Sequence, residues 1–144
     1  METEIKSYSK KLLINCSANV AFNALTTHIG DWWGEQDQPA HKLGDVFTMS
    51  WGEPWYQFKV VEYVPDEKIV WECIDSKQII GDLEGVEKEW VGTQLQWEIH
   101  QLEDQKIELS FRHDGLVPDF ICYDFCSNTW ERFLSFNLKK YLEN

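Results

Sequence analysis

The side chains best suited to chemistry in this sequence lie between residues 107 and 130. Apolar residues occupy every second position from Ile107 to Phe111, and His113 continues that series. A histidine at the end of an apolar strand face can orient a ligand or transfer a proton; the alternative is a ring satisfied by backbone or water. Tyr123 and Trp130 carry a hydrogen-bond donor on an apolar body, which suits either the polar end of a ligand or a bond to the sheet.

Other catalytic machinery is not visible in the sequence. There is no GxSxG motif and no glycine-rich phosphate loop, and Glu87 and Glu89 fall in a polar stretch where they should be solvated. The histidines are too scattered for a metal site, at His28, His41, His100 and His113. We therefore expect no catalytic residues, no metal and no cofactor, and a binding protein rather than an enzyme.

The aromatic content is the most distinctive feature, with eight Trp, eight Phe and five Tyr. Aromatic rings line cavities as readily as they fill cores, so each ring is either a ligand contact or ordinary packing. Trp32 and Trp33, adjacent at a predicted helix end, should diverge and place one indole at a pocket mouth. The predicted ligand-binding residues are Trp32, Trp33, Phe47, Phe58, Trp71, Trp97, Phe111, His113, Phe120, Tyr123 and Trp130.

The first third of the chain predicts one strand followed by helices. Lys11–Cys16 alternates like a strand, and Ser17 is a suitable N-cap for helical spacing over Ala18–Trp33, broken near Thr26-Thr27 into two short helices. The polar residues 35–44 predict a loop.

A run of strands follows, without helices between them. The predicted strands are Asp45–Trp51, Tyr56–Val64, Lys68–Asp75, Val91–Ile99 with Val91 inward, and a last one from Lys106. The polar residues 76–89 predict either a mobile flap or a long hairpin tip.

A long helix ends the chain, from Pro118 to about Leu142, with an apolar stripe that includes Cys126, Trp130 and Tyr141. Strands without interleaved helices form an antiparallel meander, and the helix must bury its stripe on that sheet. We therefore predict one α+β domain over residues 1–144. A curved antiparallel sheet of about six strands wraps the long C-terminal helix, with two short helices after the first strand.

The net charge of −12 disfavours nucleic acid and anionic membrane surfaces as partners. The first eleven residues, METEIKSYSKK, hold no apolar run typical of a signal peptide, and no stretch of 18 apolar residues could insert into a membrane. These features predict a cytoplasmic protein with four free thiols, at Cys16, Cys73, Cys122 and Cys126.

Six segments in sequence resemble the helix-grip superfamily of START-related and birch-pollen-allergen-like proteins. They are VAFNALTTHIGDWWG (Val20–Gly34), GDVFTMSW (Gly44–Trp51), FKVVEYVPDEKIVWE (Phe58–Glu72), EWVGTQLQWEI (Glu89–Ile99), SFRHDGLVP (Ser110–Pro118) and YDFCSNTWERFLSFNLKKYLE (Tyr123–Glu143). Within the superfamily the chain most resembles proteins related to the C-terminal domain of the activator of the heat-shock-protein-90 ATPase.

The resemblance implies a cavity between the sheet and the long helix, while the chemistry depends on the lining. We expect a small hydrophobic ligand, lipid-, aromatic- or polyketide-like, bound in that cavity. Two alternatives stay open: a polyketide cyclase-type enzyme that uses His113 and Tyr123, or a chaperone-associated interaction domain. A homodimer also stays open.

Overall fold

The computed structural model describes residues 6–144 and shows one curved antiparallel sheet packed against a long helix. This architecture confirms the predicted α+β arrangement. Residues 1–5, which begin the stretch predicted to lack a signal peptide, lie outside the described residues.

Seven strands and two short helical segments precede the long helix. Strands β1 to β7 are Tyr8–Ile14, Glu35–Gln36, Val46–Ser50, Trp55–Val64, Lys68–Lys77, Gln94–Glu103 and Lys106–Asp114. The short segments, α1 (Ala18–Ala24) and a 3-10 turn (Ile29–Asp31), confirm the break predicted near Thr26-Thr27. The long helix joins α2 (Tyr123–Arg132), a π-helical turn (Phe133–Leu138) and α3 (Lys139–Glu143).

The sheet is a meander closed at one end by the first strand. Its order is β1-β7-β6-β5-β4-β3-β2, and every pair is antiparallel. Register shifts between β4 and β5 leave Ile74 of β5 and Val61 of β4 without a partner and mark bulges, which bend a strand and increase its twist. The predicted inward series on β7 is confirmed, since its alternate residues from Ile107 to His113 are all buried.

The prediction of about six strands was one too low. Glu35 and Gln36 lie in the segment predicted as a loop, yet they pair with Ser50 and Met49 of β3. Two residues cannot show an alternating pattern, so sequence periodicity could not reveal this edge strand.

Two strand boundaries also differ from prediction. β1 begins at Tyr8 rather than Lys11, because Tyr8 pairs with His113 across the sheet. Val91, predicted to face inward, is 41% exposed in the turn before β6. Gly92 follows with a φ of +91°, which breaks the strand geometry between Val91 and the inward Thr93.

The connection between β5 and β6 folds back along β5. The backbone N–H of Gln78 and the hydroxyl of Ser76 both donate to the carbonyl of Glu87, at 3.0 and 2.6 Å. The side-chain amide of Gln78 donates to the carbonyl of Val86 at 2.9 Å. These bonds fit the predicted hairpin alternative better than the mobile flap.

The long helix begins at Tyr123, five residues after Pro118, because residues 118–122 form turns. The carboxylate of Glu89 accepts hydrogen bonds from the backbone N–H groups of Ile121 (2.7 Å) and Cys122 (3.0 Å). The prediction that Glu89 is solvated was therefore wrong. The first N–H groups of a helix have no partner within it, and negative charge is favourable there.

The π-helical turn keeps one face of the long helix against the sheet. The buried residues of this helix recur every four positions, at Cys126, Trp130, Leu134, Leu138 and Leu142. Each four-residue step overshoots a full α-helical turn by about 40°, so such a stripe would wind away from the sheet. The wider π turn offsets this drift. It also explains why Leu142 is buried where the predicted stripe placed Tyr141, which is only half-buried.

We predict that Glu89→Ala lowers the free energy of unfolding by about 1–2 kcal/mol, because two backbone donors lose a charged acceptor. Chemical denaturation of the purified protein measures this loss. Glu87→Ala is the matched control, since Glu87 is exposed and only its backbone carbonyl is bonded. Equal stability of both variants would contradict the capping role of Glu89.

Candidate functional site

Most of the rings predicted to line a cavity instead pack directly against one another between the sheet and the long helix. Phe111 lies 4.5 Å from Trp130 and 4.4 Å from Trp97 between ring centroids, and Trp97 lies 5.3 Å from Trp71. We call this set the aromatic core; its members, all at most 2% exposed, are Phe47, Phe58, Trp71, Trp97, Phe111 and Trp130. This part of the interior is occupied by side chains.

Trp32 and Trp33 do not diverge as predicted. Their rings stack with centroids 6.0 Å apart and planes 16° apart, and both are buried. The indole N–H of Trp32 donates to the carbonyl of Ala24 at 2.7 Å, which fixes Trp32 against α1. Trp33 stacks on Trp130 at 5.2 Å and so extends the aromatic core toward the surface.

A pocket of about 220 Å³ opens at one end of the aromatic core. Its walls come from the β3–β4 hairpin, the β5–β6 connection and α2. The lining residues are Trp33, Trp51, Pro54, Tyr56, Ile79, Ile80, Trp90, Phe125, Cys126, Thr129, Trp130, Arg132 and Phe133. Of the predicted ligand-binding residues, the structure therefore brings Trp33 and Trp130 to this pocket.

Trp51 is held in the pocket wall by a close approach to the backbone. A Cβ atom at Gly34 would lie 2.5 Å from Cε2 of Trp51, so the absence of a side chain at Gly34 admits the indole. Trp51 then packs edge-on against Trp33 at 5.0 Å and Tyr56 at 5.7 Å. The segment from Trp33 to Gly34 thus supplies both a ring and the space beside it.

A buried amide supports the inner wall of the pocket. Gln78 is 2% exposed, and its side-chain oxygen accepts from the Tyr56 hydroxyl at 2.7 Å and from the Cys126 thiol at 3.5 Å. Burial raises the pKa of Tyr56, so its hydroxyl keeps its proton at neutral pH. Gln78 thereby links the β5–β6 connection to β4 and α2.

His113 is the central link of a buried hydrogen-bond chain. The indole N–H of Trp130 donates to His113 Nδ1 at 3.1 Å, so the ring proton is assigned to Nε2, which faces the Thr93 hydroxyl at 2.9 Å. Thr93 in turn donates to the carbonyl of Trp90 at 2.6 Å. The side-chain nitrogens and oxygens of Trp130, His113 and Thr93 therefore all have hydrogen-bond partners.

This environment suits a neutral structural histidine. His113 is fully buried, and burial lowers its pKa to about 3. Both ring nitrogens are engaged, and the ring is outside the pocket lining. The geometry therefore gives His113 no route to shuttle protons for a ligand in this pocket.

Phe120 and Tyr123 lie at the start of the long helix, half-buried and outside the pocket lining. Tyr123 begins α2, and its backbone N–H donates to the carbonyl of Phe120 at 3.1 Å. The structure thus separates Phe120 and Tyr123 from the pocket. The indole N–H of Trp130, predicted to hold the polar end of a ligand, donates to His113 instead.

The four cysteines are free and buried, as predicted for Cys16, Cys73, Cys122 and Cys126. Cys126 is the one that lines the pocket. Hydrogen bonding with Cys122 and burial both raise the pKa of Cys126, so its thiol stays protonated. Since the thiolate is the nucleophile, Cys126 acts here as an apolar wall residue.

Four buried indole N–H groups have no hydrogen-bond partner within the described residues: those of Trp51, Trp71, Trp90 and Trp97. Trp51 and Trp90 contribute rings to the pocket lining. A buried donor without an acceptor is unfavourable by about 1–3 kcal/mol, so such groups are uncommon in folded proteins. Those of Trp71 and Trp97 belong to the aromatic core, and that of Trp90 lies beside the thiols of Cys122 and Cys126.

Sequence reasoning missed five aromatic residues of the lining: Trp51, Tyr56, Trp90, Phe125 and Phe133. Trp90 lies between the predicted polar connection, residues 76–89, and the predicted strand that starts at Val91, so no strand or helix period identified its direction. Phe125 is 51% exposed and faces away from the buried stripe, where the helical period gives no reason to expect a ligand contact. Only their aromatic character signals them.

Residues 6–144 contain neither a cluster of metal-ligating side chains nor a membrane-spanning helix. No three side chains among their His, Cys, Asp and Glu residues converge in a way that could hold a metal ion. No helix in this range combines the length and apolar character needed to cross a bilayer.

Comparison with known proteins identifies the family. The family model described as activator of Hsp90 ATPase homolog 1-like protein (AHSA1) matches residues 15–143. The chain belongs to this family. Among curated proteins, no sequence matches this AHSA1 family member.

Solved structures share the fold of this AHSA1 family member. The Aha1 dimer from Colwellia psychrerythraea is 21% identical with a TM-score of 0.76, and the match covers 95% of this chain and 96% of that one. An HSP90 activator from Plasmodium falciparum is 17% identical, with coverages of 90% and 91% and a TM-score of 0.65. A START superfamily protein from Mycobacterium smegmatis is 12% identical, with coverages of 96% and 97% and a TM-score of 0.67. These similarities confirm the helix-grip fold.

We predict that stability falls as pH drops from 6.5 toward 3, through the buried His113. The unfolded chain binds a proton near pH 6.5, whereas the folded state resists it until about pH 3. Above pH 6.5, His113 is neutral in both states and does not reduce the stability of the fold. Between pH 6.5 and about pH 3, its protonation in the unfolded chain lowers the folded-to-unfolded ratio by about tenfold per pH unit.

Denaturation across this pH range in wild type and His113→Gln measures the effect, which the variant should lack. His100→Gln is the control, because His100 is exposed and should leave the decline unchanged. Identical pH profiles for wild type and His113→Gln would contradict the neutral, buried state of His113.

Proposed function

We propose that the protein binds a small hydrophobic molecule in the pocket between the β3–β4 hairpin, the β5–β6 connection and α2. The observation that carries this proposal is the open pocket of about 220 Å³ with seven aromatic side chains in its lining. Apolar and aromatic walls with few polar groups are typical of small-molecule sites.

The pocket volume limits the size of the ligand. An apolar cavity of about 150 Å³ holds benzene, whereas pockets for drug-sized ligands span roughly 300–1,000 Å³. At about 220 Å³, the pocket suits a molecule of one or two rings, or the end of a longer chain. This range favours an aromatic ligand over a whole lipid.

Apolar side chains at the pocket mouth support the same proposal. Ile79 and Phe125 line the pocket and are 43% and 51% exposed. Large apolar side chains held at the surface next to a concave site often mark a binding region. A ligand seated between them would remove both from water, which contributes about 25 cal/mol for each Å² of apolar surface covered.

The cyclase-type alternative loses the support it had from the sequence. It relied on His113 and Tyr123, and both lie outside the pocket lining. Tyr56 and Thr129 do line the pocket, but their hydroxyl hydrogens are engaged with Gln78 and the carbonyl of Phe125. Holding a ligand is the role that the pocket geometry favours.

The binding proposal predicts that Thr129→Phe weakens binding of 2-naphthamide, a neutral two-ring probe, by at least about tenfold, because the new ring fills the pocket. Isothermal titration calorimetry measures the dissociation constants. Asn128→Phe places the same ring on the neighbouring exposed position and should bind like wild type. No saturable binding to wild type, or equal weakening by both substitutions, would contradict the proposed site.

A chaperone-associated role is the second candidate, favoured by the family and by the named Hsp90 activator with the same fold. The exposed Ile79, Ile121 and Phe125 would supply the contact surface. This role predicts that purified Hsp90 broadens the NMR signals of these residues while those of β1 persist. Unchanged spectra at saturating Hsp90 would dismiss this candidate.

A further inference from the structure

The pocket lining contains one formally charged side chain, and it is a cation. The protein carries 25 acidic residues and a net charge of −12, yet no Asp or Glu is part of the lining. Arg132 is the charged member. A positive group at an otherwise apolar site in so acidic a protein is the feature that the size and apolarity of the pocket do not explain.

Arg132 forms no ion pair with an Asp or Glu among the residues that the structure describes. Its guanidinium lies 5.9 Å from the ring centroid of Phe133, which also lines the pocket. The other arginine of the sequence behaves differently, since Arg112 pairs with Asp114 at 3.1 Å. Arg132 therefore keeps its donors available on the pocket side of the long helix.

The other polar hydrogens of the lining leave Arg132 as the donor that a ligand can reach. The hydroxyl hydrogens of Tyr56 and Thr129 are already donated to the protein. The indole N–H of Trp51 is buried away from solvent, and that of Trp90 lies beside the thiols of Cys122 and Cys126. The lining has no anionic acceptor, so a ligand that brings acceptor oxygens complements Arg132.

We propose that this pocket, within the binding function proposed above, selects small aromatic carboxylates. The ring system lies against Trp33, Trp90 and Trp130, and the carboxylate pairs with Arg132 at the mouth. A guanidinium and a carboxylate match in geometry and form two parallel charge-assisted hydrogen bonds. The same ring with an uncharged amide keeps the apolar contacts and loses the ion pair.

The overall charge of the protein makes the selection local. A net charge of −12 repels an anion at long range, so it cannot favour a carboxylate ligand. Attraction must therefore come from Arg132 at close range, because the Debye screening length at physiological salt is about 8 Å. Removal of this one side chain should abolish the preference.

The test compares 2-naphthoate with 2-naphthamide by isothermal titration calorimetry. Wild type should bind the carboxylate about tenfold more tightly than the amide, as a charge-assisted pair at a partly exposed site supplies. In Arg132→Gln the carboxylate should lose about tenfold in affinity, so that the two dissociation constants become equal within about twofold. Arg112→Gln removes the same charge from a paired arginine and should retain the wild-type preference.

The outcomes separate this inference from the binding function. Equal affinity for both probes in wild type, or a preference for carboxylate that persists in Arg132→Gln, would overturn the carboxylate selection and leave the binding site standing. Loss of amide binding in Arg132→Gln would also overturn it, since Arg132 would then act by shaping the wall. Failure of wild type to bind either probe would remove the proposed function itself.

Discussion

The packing of indole and phenyl rings between the curved sheet and the long helix is the constraint on which the rest of the structure depends. Trp130 occupies the centre of that packing, with Phe111, Trp33 and Trp90 around it. Its N–H is directed to His113 on β7, so one side chain fixes both the depth and the rotation of α2. The buried hydrogen bond and the ring contacts specify one seating of the helix.

That seating explains why the pocket lies at the end of the core and not along its middle. The aromatic core fills the space under the long helix, where Trp97 of β6 and Phe111 of β7 meet Trp130, and Trp71 of β5 packs against Trp97. Toward the start of β4 the wall consists of Trp51 and Tyr56 instead, and the β5–β6 connection stands opposite α2. Gln78 and Glu89 hold that connection against the helix, and the space between them remains open.

The sequence predicted the fold well because period-two alternation and the helical stripe report burial directly. The inward series that ends at His113 was correct to the residue. The edge strand at Glu35 and the turn at Val91 were not predicted, because each is too short to show a periodic pattern of apolar residues. Burial alone does not separate a packed ring from a ligand contact, so Trp71 and Trp97 were predicted beside Trp33 as one site. Contacts between distant segments, such as Glu89 with the start of the helix, carry no local signal.

Placement of a ligand by NMR tests the account most directly. The protein has eight tryptophans, each with one indole N–H signal, and intermolecular nuclear Overhauser effects report which rings touch a bound naphthalene. We expect contacts from 2-naphthamide to Trp33, Trp90 and Trp130, and none to Trp71 or Trp55. Contacts to Trp71 without any to Trp33 would place the ligand in the interior of the sheet and contradict the site described.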